Sequence, residues 1–260
     1  MKTLFALCIT LLFFGQAQAD IILVENGGFE DTSGQTEFNE FTFGTPTGWS
    51  LYDPNSISGP GVFTGTLEPN GIDFFDEVAP EGVKVAILFN DQRQGDGEYG
   101  FQQDFAEVLE ANTRYRISVE VGNIGSGTAQ NGVFYDLSGF PGYRVDLLAG
   151  GTVIAEDDNS LIIPERQWDT SVVEFTTGDS HALLGQALSI RLVNLNVIPD
   201  GYNEFNTPDL EVDFDDVRFE MSSVPEPSSL LFLTFSGIGL YVWHKRKKRD
   251  WPLKSEQTKA

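Results

Sequence analysis

Residues 114–121 read Arg-Tyr-Arg-Ile-Ser-Val-Glu-Val. Tyr115, Ile117, Val119 and Val121 fall at every second position, so an extended chain puts all four on one face and the polar residues on the other. A helix would scatter them. Residues 143–155, Tyr-Arg-Val-Asp-Leu-Leu-Ala-Gly-Gly-Thr-Val-Ile-Ala, show two such runs joined by Gly150-Gly151, a two-residue hairpin signal. Working outward, β-branched and aromatic runs punctuated by Gly, Pro, Asn and Asp predict further strands near 21–24, 48–52, 62–66, 83–89 and 99–105. Others are expected near 172–176, 188–194 and 212–220. The helix candidates are brief turns such as Phe105–Leu109. So many short strands without a long amphipathic helix indicate an all-β sandwich or jelly roll.

The chain has 260 residues, with 16 Lys+Arg against 39 Asp+Glu and a net charge of −23. Residues 20–223 alone hold 8 basic and 36 acidic side chains, a net charge of −28, with Lys84 the one lysine. Such a surface repels phosphate backbones, which excludes a nucleic-acid partner. At 40% hydrophobic and 12% aromatic it can still bury a core. The single Cys, Cys8, excludes a disulfide framework. Nucleophilic catalysis needs a base beside Ser or Cys, and residues 20–223 hold one His, His181, in a turn-like Gly178-Asp179-Ser180-His181. Glycoside hydrolysis needs only two carboxylates, but no acid is singled out by its context. The expectation is therefore a non-enzymatic domain.

Both ends read as addresses. Residues 1–19 carry Lys2, an apolar run and Ala17-Gln18-Ala19, the pattern of a secretory signal peptide cleaved between Ala19 and Asp20. The far end reads Val224-Pro225-Glu226-Pro227, an apolar run over 228–243, then Lys245, Arg246, Lys247, Lys248 and Arg249. Sixteen residues rising about 1.5 Å each reach roughly 24 Å, slightly short of a hydrocarbon core, and the basic cluster is expected on the cytoplasmic side. This order resembles the PEP-CTERM sorting signal of Gram-negative bacteria over 224–249, with 250–260 as a further cytoplasmic tail. The resemblance implies an exosortase as processing partner. It also implies an inner-membrane-anchored precursor, then a place at the cell surface or in the extracellular matrix beside exopolysaccharide.

Asn26-Gly27-Gly28-Phe29-Glu30, followed by Gly48-Trp49, resembles the opening of galactose-binding-like jelly rolls, among them carbohydrate-binding modules. The closing Val212-Asp213-Phe214-Asp215-Asp216-Val217-Arg218-Phe219 is similar to their last strand. The resemblance implies a structural Ca²⁺ held by Glu30 with Asp215 or Asp216. The spacing here has its own consequence: Val212 and Phe214 share a face, and Val217 and Phe219 keep it only if a bulge absorbs Asp215-Asp216. Otherwise the acids form a solvated edge that discourages aggregation. Two loops hold aromatic and amide side chains of the kind that grip sugars, with Tyr135, Phe140 and Tyr143 in or beside one and Tyr202, Asn203 and Phe205 in the other. Trp49 and Trp168 are expected in the core. The function implied is an exported, glycan-associated surface protein. The alternatives are a Ca²⁺-stabilised structural or adhesive matrix protein and a matrix glycoside hydrolase.

Overall fold

The alternating stretch at 114–121 lies inside an eleven-residue strand of the computed structural model, which describes residues 19–224. Fifteen strands occur among the described residues. In chain order they are β1 (Ala19–Ile22), β2 (Thr36–Phe38), β3 (Phe41–Phe43), β4 (Ser50–Tyr52), β5 (Val62–Leu67), β6 (Val85–Asn90), β7 (Tyr99–Val108) and β8 (Thr113–Asn123). There follow β9 (Gly127–Thr128), β10 (Phe134–Tyr135), β11 (Tyr143–Ala149), β12 (Thr152–Asp158), β13 (Gln167–Thr176), β14 (Ala187–Asn194) and β15 (Leu210–Ser223). The one helical segment described is a short 3-10 turn, Asp91–Arg93. No helix among the described residues is long and apolar enough to cross a membrane.

Thirteen of the strands form a sandwich-like pair of antiparallel sheets, and β9 and β10 pair as a separate two-stranded ribbon. The larger runs β13-β8-β15-β6-β5-β3-β2, with β1 also on β15, and the smaller runs β12-β11-β14-β7-β4. Tyr115, Ile117, Val119 and Val121 are buried between the sheets, where they meet Phe101, Val145, Leu147 and Ile190 of the smaller sheet. Gly150 and Gly151 close the β11–β12 hairpin with Ala149 opposite Thr152, both at positive φ, the backbone region that glycine enters without penalty.

Two local expectations change. The candidate helical turn Phe105–Leu109 is the end of β7, where Val108 pairs with Ala187 of β14; a sheet partner supplies hydrogen bonds that local helix preference cannot match. Strands β2 and β3 were not expected, because each is three residues long and too short to show a period.

The bulge in β15 is present. Asp215 pairs with Glu120 of β8 and Arg218 with Ser118, so Asp216 and Val217 are set against one residue, and Asp216 sits at φ 46°. Val212, Phe214, Val217 and Phe219 thereby all point into the core.

The larger sheet is buried on its reverse face as well. All six residues of β6 are buried: Ala86 and Leu88 face the sandwich interior, while Val85, Ile87 and Phe89 face a second core. That second core is roofed by Phe74, Phe75 and Ala79 from the segment after β5, and by Ile124, Ala129 and Leu137 from the segment after β8.

Candidate functional site

A strand that turns Val212 and Phe214 inward must turn Glu211, Asp213 and Asp215 outward. Here outward is not solvent, because the two roofing segments cover that face. Glu211 is 3% exposed, Asp213 and Asp215 are 0% exposed. Both Asp213 oxygens and Glu211 Oε1 have no hydrogen-bond partner among the described residues. Burying a carboxyl without a partner or counter-charge favours its neutral form. Burial, then the Asp209 charge, pushes Glu211 up to about 8; burial, then the Glu211 charge, raises Asp213 well above the carboxylate range. Asp215 is also pushed up to about 8 by burial, although the Glu81 and Asp216 amides donate to it.

Glu211 opens onto a cavity of about 120 Å³ whose other walls are Phe38, Phe41, Phe43, Phe63, Ile87, Phe89, Tyr135 and Leu137. The rings hold one another in place: Phe63 stacks on Phe89 at 4.9 Å, Phe43 meets Phe63 edge-on at 4.8 Å, and Tyr135 meets Phe41 at 6.2 Å. Asp213 lies one step further along the same face, opposite Ile87 of β6 on one side and Gly122 of β8 on the other. Across Gly122 stands Trp168 of β13, its ring stacked on Phe75 at 4.4 Å, with its Nε1–H also unpartnered. The arrangement is an apolar aromatic chamber with the Glu211 carboxyl on its floor and the buried Asp213 carboxyl next along the same strand face. It can bind a flat apolar molecule and hand it a proton.

The roof is latched from β13's side. Arg166 pairs with Asp76 at 2.7 Å and donates to the carbonyls of Ile72 and Asp73, while the Asp76 amide returns a bond to the Arg166 carbonyl at 3.1 Å.

Of the residues expected to grip a ligand, Tyr135 lines the chamber. Tyr143 does not serve: it is fully buried, and its hydroxyl donates to Asp157 at 2.6 Å inside the sandwich. Phe140 packs on Tyr143 at 6.2 Å as a core cover. Asn203 caps its own turn through the Phe205 amide, Tyr202 is half-buried nearby, and Phe205 is 97% exposed with no wall around it. Trp49 is a core residue as expected, whereas Trp168 belongs to the reverse face.

The residues expected to hold Ca²⁺ are partly brought together. Glu30 accepts from the Val83 and Lys84 amides at 2.6 and 2.8 Å, and Asp215 accepts from the Glu81 amide at 2.7 Å, so both lie on the 81–84 segment. Asp216 is turned away into a 2.7 Å pair with Arg218. No group of three or more acidic, His or Cys side chains is arranged to hold a metal ion among the described residues. Ala19 and Asp20 are in β1, opposite Ser222 and Met221. Pro225, Glu226, Pro227, the 228–243 run and the basic residues 245–249 lie outside the described residues.

Glu211, Asp213 and the Phe-rich segment 36–43 were missed as a site. The available signal was the strict alternation of acids against Val212 and Phe214, which reads as a solvated face unless something is known to cover it.

The HpiC1-like family model, described as HpiC1 cyclase, matches residues 20–220. A cyclase from Fischerella sp. TAU is 34% identical, with 80% of this chain and 100% of that chain covered and a TM-score of 0.67. The Stig cyclase Fisc from the same organism, in complex with (3Z)-3-(1-methyl-2-pyrrolidinylidene)-3H-indole, has the same identity and coverage and a TM-score of 0.68. A cyclase from Fischerella sp. TAU in complex with 4-(1H-indol-3-yl)butan-2-one has a TM-score of 0.66 at 34% identity, with 80% and 100% covered. No curated protein matches the chain.

These matches correct the sequence-based expectation. Nothing found shows a PEP-CTERM signal, and the relatives are enzymes acting on small molecules, so the non-enzymatic surface or biofilm protein with exosortase and exopolysaccharide partners is overturned. The physical reason is that carboxyls in an apolar chamber need no signature spacing, so no motif announces them.

Proposed function

Because the chain belongs to the HpiC1-like cyclase family, we propose that it cyclises an indole-bearing small molecule by proton donation from Glu211 on the floor of the aromatic chamber, with the neighbouring buried Asp213 as the second acid. The observation that carries this reading is the buried Glu211 carboxyl, its Oε1 unpartnered, opening onto a cavity walled by six aromatic rings, with the unpartnered Asp213 carboxyl two residues further along the same strand face. Indole ligands in two related cyclases support the substrate class.

The chemistry balances without a redox partner. A neutral carboxyl donates its proton to a carbon of the substrate's π-system, and the cation is attacked by another π-bond of the same molecule. The ring bond forms, and the carboxylate recovers a proton lost from the cyclised cation. The product is an isomer of the substrate. The chamber's rings stabilise the cation through their faces and exclude water that would trap it. Phe63 and Phe89 supply stacked faces at the chamber wall.

The test uses the full chain with 4-(1H-indol-3-yl)butan-2-one as the binding probe and indole alkenes as substrates. Calorimetry is expected to show binding that survives in Glu211→Gln and Asp213→Asn, and chromatography an equal-mass isomer whose formation those variants lose by roughly 10²–10⁴-fold. Absence of both binding and isomer in the wild-type chain overturns the reading.

The two-sheet order is that of a jelly roll, and the leader at 1–19 makes the cyclase an exported enzyme, which N-terminal sequencing of the mature protein checks. Calcium, if bound, is structural: Glu30 and Asp215 offer hard oxygen ligands beside the 81–84 backbone, and a divalent ion there offsets the cost of the buried Asp215. A thermal melt unchanged by calcium or chelator excludes it.

A further inference from the structure

The row of acids on β15 does not begin at Glu211. Asp209, two residues earlier, lies just before the strand and is half-exposed. An extended backbone sets residues two apart about 6.6–6.8 Å from each other, and the Asp209 charge acts on Glu211. Asp209 is also held in place: it accepts from the Gln92 amide at 3.2 Å, and its own amide donates to the Asp136 carbonyl at 2.8 Å. From the row the chamber has one further proton-active wall, Tyr135; the rest of its lining besides Glu211 is hydrocarbon. Glu211 Oε1 is buried and unpartnered.

We propose that Asp209 is the residue through which Glu211 exchanges its proton with solvent, so that the acid of the chamber is loaded from the rim of the sheet rather than through its apolar mouth. This rests on the cyclase reading above, and Asp209 acts in it as a positioning and relay residue that does not touch the substrate.

The charges around the pair are suited to that task. From the 3-10 turn, Asp91 faces Asp209, while Arg93 is drawn off to Asp96 at 3.4 Å. From the segment before β11, Asp136 adds a further negative charge. Burial first, then the Asp91 charge, pushes Asp209 up to about 6, so the rim carboxyl holds a proton for part of the time near neutrality. Against Glu211, β6 presents Phe89 and the segment after β8 presents Tyr135, and the neighbouring charge on it is Asp209 itself. Tyr99 of the smaller sheet lies in the sandwich interior, where burial, then the Glu211 charge, raises its phenol. Among the described residues neither Asp209 nor Glu211 is in an ion pair with Lys or Arg.

The experiment is substrate-free. The full chain is mixed rapidly into D₂O and the carboxylic acid band of Glu211 is followed by infrared absorption, the band being assigned by its loss in Glu211→Gln. Asp209→Asn is expected to slow hydrogen–deuterium exchange of that band by roughly tenfold or more. Asp209→Glu, or added formate, is expected to restore the rate. An exchange rate in Asp209→Asn equal to wild type, or slowed instead by Tyr135→Phe, overturns the relay. If Glu211→Gln removes no acid band, the neutral-acid reading of the chamber has failed, an outcome distinct from failure of the relay. Near-ultraviolet circular dichroism of each variant separates slowed exchange from misfolding.

Discussion

The six-membered ring of Trp168 fills the space that Gly122 leaves by having no side chain: a Cβ at residue 122 would stand 2.7 Å from it. Phe75 comes within 2.9 Å of the same point. This glycine therefore lets the stacked Trp168–Phe75 pair lie flat across β8, beside the buried Asp213. Gly122→Ala is expected to push the stack off the sheet at a cost of about 1–3 kcal/mol, as overpacked cores do. Thermal melting measures the loss, and a red shift of tryptophan emission reports the displaced ring. Cyclase turnover is expected to fall with it.

Glu211 links stability to pH. Unfolded, its carboxyl ionises near 4.3; folded, burial and the Asp209 charge push it up to about 8. The native state thus holds the extra proton between those values, and stability falls as pH rises through that window. Glu211→Gln is expected to flatten the dependence and to gain on the order of 1 kcal/mol at about pH 8, roughly 2–4 °C in a domain of this size. Urea unfolding at acidic and alkaline pH checks it; a variant with the wild-type slope contradicts the assignment.

Asp216 carries the bulge at φ 46°, a left-handed conformation that ordinary side chains resist. Its pair with Arg218 is largely exposed and contributes little. Asp216→Gly is therefore expected to leave stability unchanged or slightly raised, and Asp216→Val to cost about 1–2 kcal/mol. Deleting Asp216 turns Val217 and Phe219 to the wrong face, and calorimetry is expected to show no cooperative transition.

Inside the sandwich, Asp157 accepts from the Tyr143 hydroxyl at 2.6 Å and the Ser171 hydroxyl at 2.5 Å. Burial acts to raise this carboxyl, but bonds from Ser171, Tyr143 and Ser160 outweigh it and hold it below its usual value. Its contribution is present above about pH 4 and is lost as pH falls through the depressed value. Tyr143→Phe and Ser171→Ala are each expected to cost about 1–3 kcal/mol near neutrality, with a smaller deficit in acid. Denaturant titrations at two pH values read the difference.

Much of the fold was legible in residue order. The period of two at 114–121, the Gly150-Gly151 turn and the forced bulge at 215–216 each follow from a local geometric rule, and each is present in the structure. Strands β2 and β3 were illegible because three residues cannot display a period. The Phe105–Leu109 turn misled because its helix-favouring residues are overruled by pairing with β14.

The chamber was legible only as an unanswered alternation. Pattern along β15 dictates that Glu211, Asp213 and Asp215 share a face opposite Val212 and Phe214, since successive side chains in a strand point to opposite sides. It does not dictate what lies over that face. The covering comes from Phe74 and Phe75, some 140 residues earlier in the chain, and from Leu137, together with phenylalanines of 38–43. Backbone periodicity is a local property and survives in the residue order; desolvation depends on contacts between distant segments and exists only once they have packed. That packing converts a surface that would read as solvated acid, on a domain of charge −28, into a row of buried carboxyls beside an aromatic chamber.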